Sequence, residues 1–184
     1  MKHFQLAIIA GTLAASTSAL GQPLNYSLEA DVAQACGAFN GQASAVDVDF
    51  GALANTRADA QIERRAGSIT YRCNNRNGFT RMIASQNGGF MTLNGDATTD
   101  QARRIAFTMQ HTGPNGFRPQ QLTTPLVTSH RDARGAGDFL RGSDGMVLFR
   151  ASGVQTPAQG GAPATTSVFA GTYRDTVTIT VTAN

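Results

Sequence analysis

The sequence carries little charge, and what it has is nearly balanced. Asp, Glu, Lys and Arg together make up 15% of the 184 residues, and the formal net charge is +3. An average soluble chain has about 25% charged residues. This scarcity excludes a charge-stabilised disordered region and a coiled coil. The basic residues also form no cluster, so we expect no nucleic-acid partner.

Tryptophan is absent, and lysine occurs only at position 2. The sequence also lacks the glycine-flanked serine of hydrolases, the paired histidines of zinc proteases, the phosphate-binding P-loop and a dinucleotide fingerprint after a strand. His111 and His130 each lie beside a predicted loop, where a lone histidine is usually solvated. We therefore predict that the protein is not an enzyme and has no catalytic residue, metal ion or cofactor.

Long apolar runs are missing too, apart from one near the start of the chain. Residues 6–15 form an apolar stretch after a basic opening and before a series of small residues. This arrangement is typical of a secretory signal peptide, and the stretch is too short to span a membrane. We predict a signal over residues 1–21, with cleavage after Gly21 or after Ala19. The mature chain would be exported, with no membrane span and no lipid anchor.

The sequence contains only two cysteines, Cys36 and Cys73. In an exported chain an even number of cysteines predicts a disulfide, here over a loop of about 38 residues. A metal or redox pair is the alternative. Metal ligation would need further Cys or His partners at ligand spacing, whereas the mature chain offers only the two distant histidines.

Several aspartates are candidates for chemistry. Asp132, Asp138 and Asp144 share one glycine-rich stretch and could offer oxygens to calcium, but their spacing matches no known calcium loop and arginines interleave with them. Asp47 and Asp49 share one face of a predicted strand, where paired carboxylates can serve acid–base chemistry. We interpret both groups as solvated polar surface.

Alternation of apolar and polar residues runs through most of the chain, with the period of two that is typical of strands. The predicted strands cover residues 24–32, 46–50, 68–73, 79–85, 105–109, 146–149 and 176–182. Residues 54–66 are compatible with a short helix that Gly67 would stop, and residues 131–145 and 152–165 are predicted loops. Short strands separated by glycine and asparagine turns favour an all-β sandwich or barrel.

The first predicted strand is amphipathic and precedes the first cysteine. Its apolar residues are Leu24, Tyr26, Leu28, Ala30 and Val32. A lone extended segment cannot bury its own apolar face. It must therefore add to a sheet, either as an ordinary first strand of its own domain or at the open sheet edge of another molecule. The pattern alone leaves both possibilities open.

Four pieces of the sequence, in this order and spacing, match a known family. They are Ala35-Cys36 after the amphipathic segment, residues 48–51 (VDFG), residues 66–73 (AGSITYRC) and residues 171–181 (GTYRDTVTITV). Together they resemble the archaic, Csu-type chaperone–usher pilins, which share a spore-coat-protein-U-like secreted domain. The resemblance covers the mature chain from about residue 24 to the end, and the last piece is the most specific.

The resemblance implies an immunoglobulin-like β-sandwich over residues 35–184 that lacks its last strand, and a donor-strand segment over residues 22–34. A periplasmic chaperone would first fill the open groove. An outer-membrane usher would then exchange the chaperone strand for the donor segment of the neighbouring pilin subunit. The inserted side chains would be Leu24, Tyr26, Leu28, Ala30 and Val32, and one groove wall would consist of Val177, Ile179 and Val181.

Three functional hypotheses follow. The favoured one is a structural subunit of a surface fimbria that polymerises by donor-strand exchange and serves attachment and biofilm formation. An adhesive, tip-type module would instead use the long loops of residues 113–145 as a contact surface. A self-contained secreted coat protein or hydrolase would close the sandwich with its own first strand.

Overall fold

The structure is a computed structural model, and it describes residues 26–41, 45–53, 60–131, 138–154 and 168–184. The predicted signal peptide and Leu24 lie outside these residues. The chain divides into two units, residues 1–32 and residues 33–184. In the first unit the described residues, 26–32, form no strand, so the strand predicted at residues 24–32 is not observed there.

The second unit consists mainly of β-strands. These are β1 (Cys36–Phe39), β2 (Gln61–Cys73), β3 (Phe79–Ser85), β4 (Phe90–Leu93), β5 (Arg104–His111), β6 (Phe117–Gln120), β7 (Leu126–His130), β8 (Ser143–Ser152), β9 (Tyr173–Arg174) and β10 (Val177–Ala183). The helical elements of the described residues are a 3-10 turn at Gln101–Arg103 and a short helix, α1, at Asp138–Arg141.

The strands form two antiparallel sheets. The larger has the order β1-β2-β8-β5-β4-β9, with β6 also paired to β5, and the smaller has the order β10-β3-β7. Apolar side chains of both sheets share one core, in which the rings of Tyr71 (β2) and Phe79 (β3) stack with centroids 5.6 Å apart. The predicted all-β sandwich is confirmed, and its immunoglobulin-like class stays a prediction. Its missing last strand stays a prediction.

Most of the predicted strands of the second unit are observed, but three local predictions were wrong. Residues 46–50 form no strand. Residues 61–66, within the helix-compatible window, are instead the first half of β2. Their pairing with β8, from Gln61 opposite Ser152 onward, outweighs a weak local helix preference. The loop predicted at residues 131–145 contains α1 and the beginning of β8.

A disulfide joins Cys36 to Cys73, and the two residues lie directly opposite each other on β1 and β2. Strand β1 has only four residues and lies at the edge of the larger sheet, so its backbone pairing alone would hold it weakly. The disulfide therefore fastens this edge strand to the longest strand of the sheet. The cysteines are 37 residues apart in the sequence.

A buried arginine lies in the core without an acidic partner among the described residues. Arg81 on β3 is 1% exposed, and its Nη1 donates to the Asn115 carbonyl at 2.9 Å and to the Tyr71 hydroxyl at 3.3 Å. The guanidinium also faces the rings of Tyr71 and Phe117. Next to this cluster, His111 is 2% exposed. Burial, and then the charge of Arg81, lower the pKa of His111 to about 4.

Replacing both cysteines, Cys36→Ser with Cys73→Ser, should lower the free energy of unfolding by roughly 3–4 kcal/mol, because the open chain gains loop entropy when it unfolds. Denaturant titration of both proteins measures the difference. A reductant should destabilise the wild type by a similar amount and leave the double variant unchanged. Equal stability of the two oxidised proteins would contradict the expectation.

The free energy of unfolding should fall as the pH is lowered from about 6.5 to about 4. In this window His111 is protonated in the unfolded chain but not in the folded one, so the folded state binds fewer protons. The loss from this group is on the order of 3 kcal/mol. Burial also lowers the pKa of His130, which adds in the same direction, whereas the raised pKa of Asp175 opposes it.

Urea titrations at several pH values measure this slope. The variant His111→Phe, which keeps an aromatic ring against Tyr71, should show a clearly flatter dependence. A variant with the full wild-type slope would show that another group is responsible.

Candidate functional site

An open groove of about 640 Å³ lies between residues of the two sheets. The larger sheet contributes hydrophobic side chains from six of its strands, β1, β2, β4, β5, β8 and β9, and the smaller sheet contributes two side chains of β10. The main apolar lining residues are Ile69, Met91, Phe107, Met109, Val147, Phe149, Val177 and Ile179. Because these residues also belong to or pack against the core, the groove is an uncovered part of the core.

Strand β10 has a hydrogen-bonded partner on one side only. It pairs with β3 along its whole length, and among the described residues no strand pairs with its other edge. The inward side chains of β10 remain half-buried, whereas Ile83, the cross-strand partner of Ile179, is fully buried. An edge strand of this kind can accept another strand.

Two of the three predicted wall residues line the groove. Val177 and Ile179 are part of its lining. Val181 packs against the core farther along β10. The threonines between them, such as Thr180, are exposed on the outer face of the strand. The alternating apolar residues of this part of the sequence therefore lie on the inward face of β10.

The GTYRDTV part of the most specific motif forms the corner where β10 begins. The chain leaves the larger sheet after β9 and enters the smaller one at Val177. Asp175, in this crossing, accepts hydrogen bonds from Ser85 Oγ at 2.6 Å and from the Asn87 amide at 2.9 Å. Burial raises the pKa of the Asp175 carboxyl, which the hydrogen bonds oppose. These bonds tie the crossing into β10 to the opposite crossing from β3 to β4.

Residues 45–49 also line the groove, which the sequence did not predict. They belong to no strand. Val48 and Phe50 are half-buried while Asp47 and Asp49 are exposed, so the sidedness expected of a strand is present without the strand. Phe50 packs against the part of the core formed by β4, β5 and β8.

The predicted donor residues belong to the first unit, and the groove is formed by the second. Among the donor residues that the structure describes, Tyr26, Leu28 and Val32 are 80%, 95% and 82% exposed, and Ala30 is also exposed. Such a regular series of exposed apolar side chains is unusual on a folded protein surface.

Comparison with known proteins assigns the chain to a family, since residues 22–180 match the spore coat protein U domain. The chain belongs to this family. A solved chain of a chaperone–tip adhesin complex, described as vital for synergistic activation of CFA/I fimbriae biogenesis, is similar at 12% identity with a TM-score of 0.41. The alignment covers 81% of this chain and 41% of that one. No curated protein matches the sequence.

In this spore coat protein U domain, two of the aspartate and histidine side chains considered for chemistry lie within hydrogen-bonding distance of threonine hydroxyls. Asp144 accepts a hydrogen bond from Thr70 Oγ1 at 2.5 Å, and the His130 ring lies 2.9 Å from Thr128 Oγ1. Asp132 and the Asp138 side chain lie outside the described part of the chain. Within that part, no three metal-binding side chains cluster, and no helix has the length and hydropathy to cross a bilayer.

Two isoleucines on adjacent strands test whether the groove leaves β10 underpacked. Ile83→Ala should lower the free energy of unfolding by about 3–4 kcal/mol, because Ile83 is surrounded on all sides. Ile179→Ala should lower it by about half as much, since the Ile179 side chain partly faces the groove. Denaturant titration of the isolated protein measures both values. Equal losses would show that the groove is closed in solution.

Proposed function

We propose that the protein is a structural subunit of a surface pilus, assembled by the chaperone–usher pathway through donor-strand complementation. The open groove, beside an edge of β10 that pairs with no described strand, is the observation that carries the proposal. A strand placed there would gain main-chain hydrogen bonds along β10 and would cover the half-buried Val177 and Ile179. This is strand addition to an exposed sheet edge.

Residues 22–34 are the proposed donor segment. In the described part of the segment, apolar residues occupy every second position from Tyr26 to Val32 and are exposed. Alternation presents them all to one side of an extended chain, as a groove between two sheets requires. Burying a large apolar side chain contributes roughly 1.5–3 kcal/mol, so four or five insertions would give a slowly dissociating contact.

The order of events is the one that the resemblance to chaperone–usher pilins implies. The mature subunit would leave the inner membrane after removal of residues 1–21, and a periplasmic chaperone would cover its groove with a strand. At an outer-membrane usher the donor segment of the next subunit would replace that strand. The product would be a fibre at the cell surface that serves attachment and biofilm formation. Membership of the spore coat protein U domain family supports this assignment.

A peptide of residues 22–34, added to monomeric mature protein at about 100 times its dissociation constant, should raise the melting temperature by roughly 5–10 °C. The increase arises because the peptide binds only the folded state. Scanning calorimetry or fluorimetry measures it. A peptide with Leu28→Asp is the matched control, since it would place a charge in an apolar groove, and it should have little effect.

Deletion of residues 22–34 tests whether assembly requires this segment. The shortened subunit should still bind its chaperone, because its groove is intact, but it should not polymerise. Electron microscopy and size-exclusion chromatography distinguish the two outcomes. Fibres formed by the deletion variant, or a stable monomer that does not respond to the peptide, would refute donor-strand complementation and favour a self-contained coat protein.

A further inference from the structure

Residues 45–50 lie along the groove but belong to no sheet. Among the described residues, their backbone makes no hydrogen bond to another backbone group. Two of their carbonyls are instead held by a single side chain of β2. Arg64 donates from Nε to the Asp49 carbonyl at 3.0 Å and from Nη2 to the Phe50 carbonyl at 3.1 Å.

The guanidinium of Arg64 is itself held in place, and a glycine with a positive φ follows the contact. Arg64 Nη1 donates to the carbonyl of Glu63 at 2.9 Å. The Gly51 amide donates to Asp49 Oδ1 at 2.7 Å, and Gly51 has a φ of +71°, which favours glycine. Arg64 therefore contacts the segment at its last two residues, directly before Gly51.

Packing adds little to this attachment. Val46 is 44% exposed, and Val48 and Phe50 are only half-buried. A segment with few buried contacts and no ladder opens at low free-energy cost compared with the strands around it. Because residues 45–49 line the same groove as Val177 and Ile179, a strand that fills the groove has to share that space with them.

We propose that residues 45–50 act as a movable strap along the groove, which an entering strand displaces, and that Arg64 is its latch. This rests on the proposed function, because the entering strand is the donor segment or its chaperone equivalent. The strap keeps apolar groove residues partly covered in the free subunit, and its release limits how fast a strand can enter.

Arg64→Ala tests the latch, and Arg65→Ala is the matched control. Arg65 is the next residue of β2, is also exposed, and its side chain makes no hydrogen bond or ion pair with the described residues. Association of a fluorescein-labelled peptide of residues 22–34 with each mature protein is followed by stopped-flow anisotropy. Arg64→Ala should accelerate association about five- to tenfold, and Arg65→Ala should leave it unchanged.

A second measurement does not need the peptide to bind. Backbone order parameters from NMR relaxation should fall for residues 46–50 in Arg64→Ala, from about 0.85 towards 0.6 or below, and stay at wild-type values in Arg65→Ala. In the wild type the same residues should lose order when the peptide binds. Circular dichroism and urea titration establish that both variants are folded.

The outcomes separate the two proposals. Equal association rates for all three proteins, with clear peptide binding, would overturn the strap and leave the proposed function standing. A peptide that fails to bind the wild type would overturn the proposed function. In that case unchanged order parameters in Arg64→Ala would overturn the latch, and a selective loss of order would support it.

Discussion

Among the described residues, strand β10 pairs with a neighbour along one edge only, and its inward side chains are half-buried. The groove depends on β10 holding this position. Strands with so little support are marginal on their own. Here both ends of β10 are fastened by side-chain hydrogen bonds. At its beginning Asp175 holds the crossing between the sheets. Beyond its end, Thr80 Oγ1 donates to Asn184 Oδ1 at 2.6 Å, and the backbone amide of Asn184 adds a bond to the Gly78 carbonyl at 3.1 Å.

Strand β1, which contributes Ala38 to the groove lining, is secured by a different means. Its pairing with β2 is reinforced covalently by Cys36 and Cys73, and Asn40, next to β1, donates from Nδ2 to the Ala66 carbonyl at 3.3 Å. Both of these groove-lining strands are thus held by contacts that do not involve a groove occupant. A binding site that is already formed loses less free energy to ordering when a partner arrives.

The sequence pattern predicted strands that bury one face over seven or more residues, such as β3 and β5, and the even cysteine count predicted the disulfide. The short strands β1, β4, β6, β7 and β9 were missed because two to five residues contain too few alternations to detect. The buried Arg81 could not be foreseen, since its stabilising contacts, the Asn115 carbonyl and the Tyr71 ring, come from distant parts of the chain.

The error at residues 46–50 shows what alternation measures. It reports that one side of an extended segment is covered, and it does not report hydrogen bonding to a neighbouring strand. Residues 26–32 carry the same pattern, and they also form no strand. Two segments of one sequence therefore have the side-chain pattern that suits the groove.

The two segments differ in how they are attached. Arg64 fixes residues 49 and 50 beside the groove, whereas residues 26–32 expose their apolar side chains. Residues 45–50 are already attached beside the groove, so little loop entropy is lost when they cover it. The donor segment has larger and more numerous apolar residues, so it can bury more apolar area there. The proposed exchange requires the free energy gained from the larger buried area to exceed the cost of displacing residues 45–50. A weak attachment through Arg64 keeps that cost lower than a hydrogen-bonded strand would.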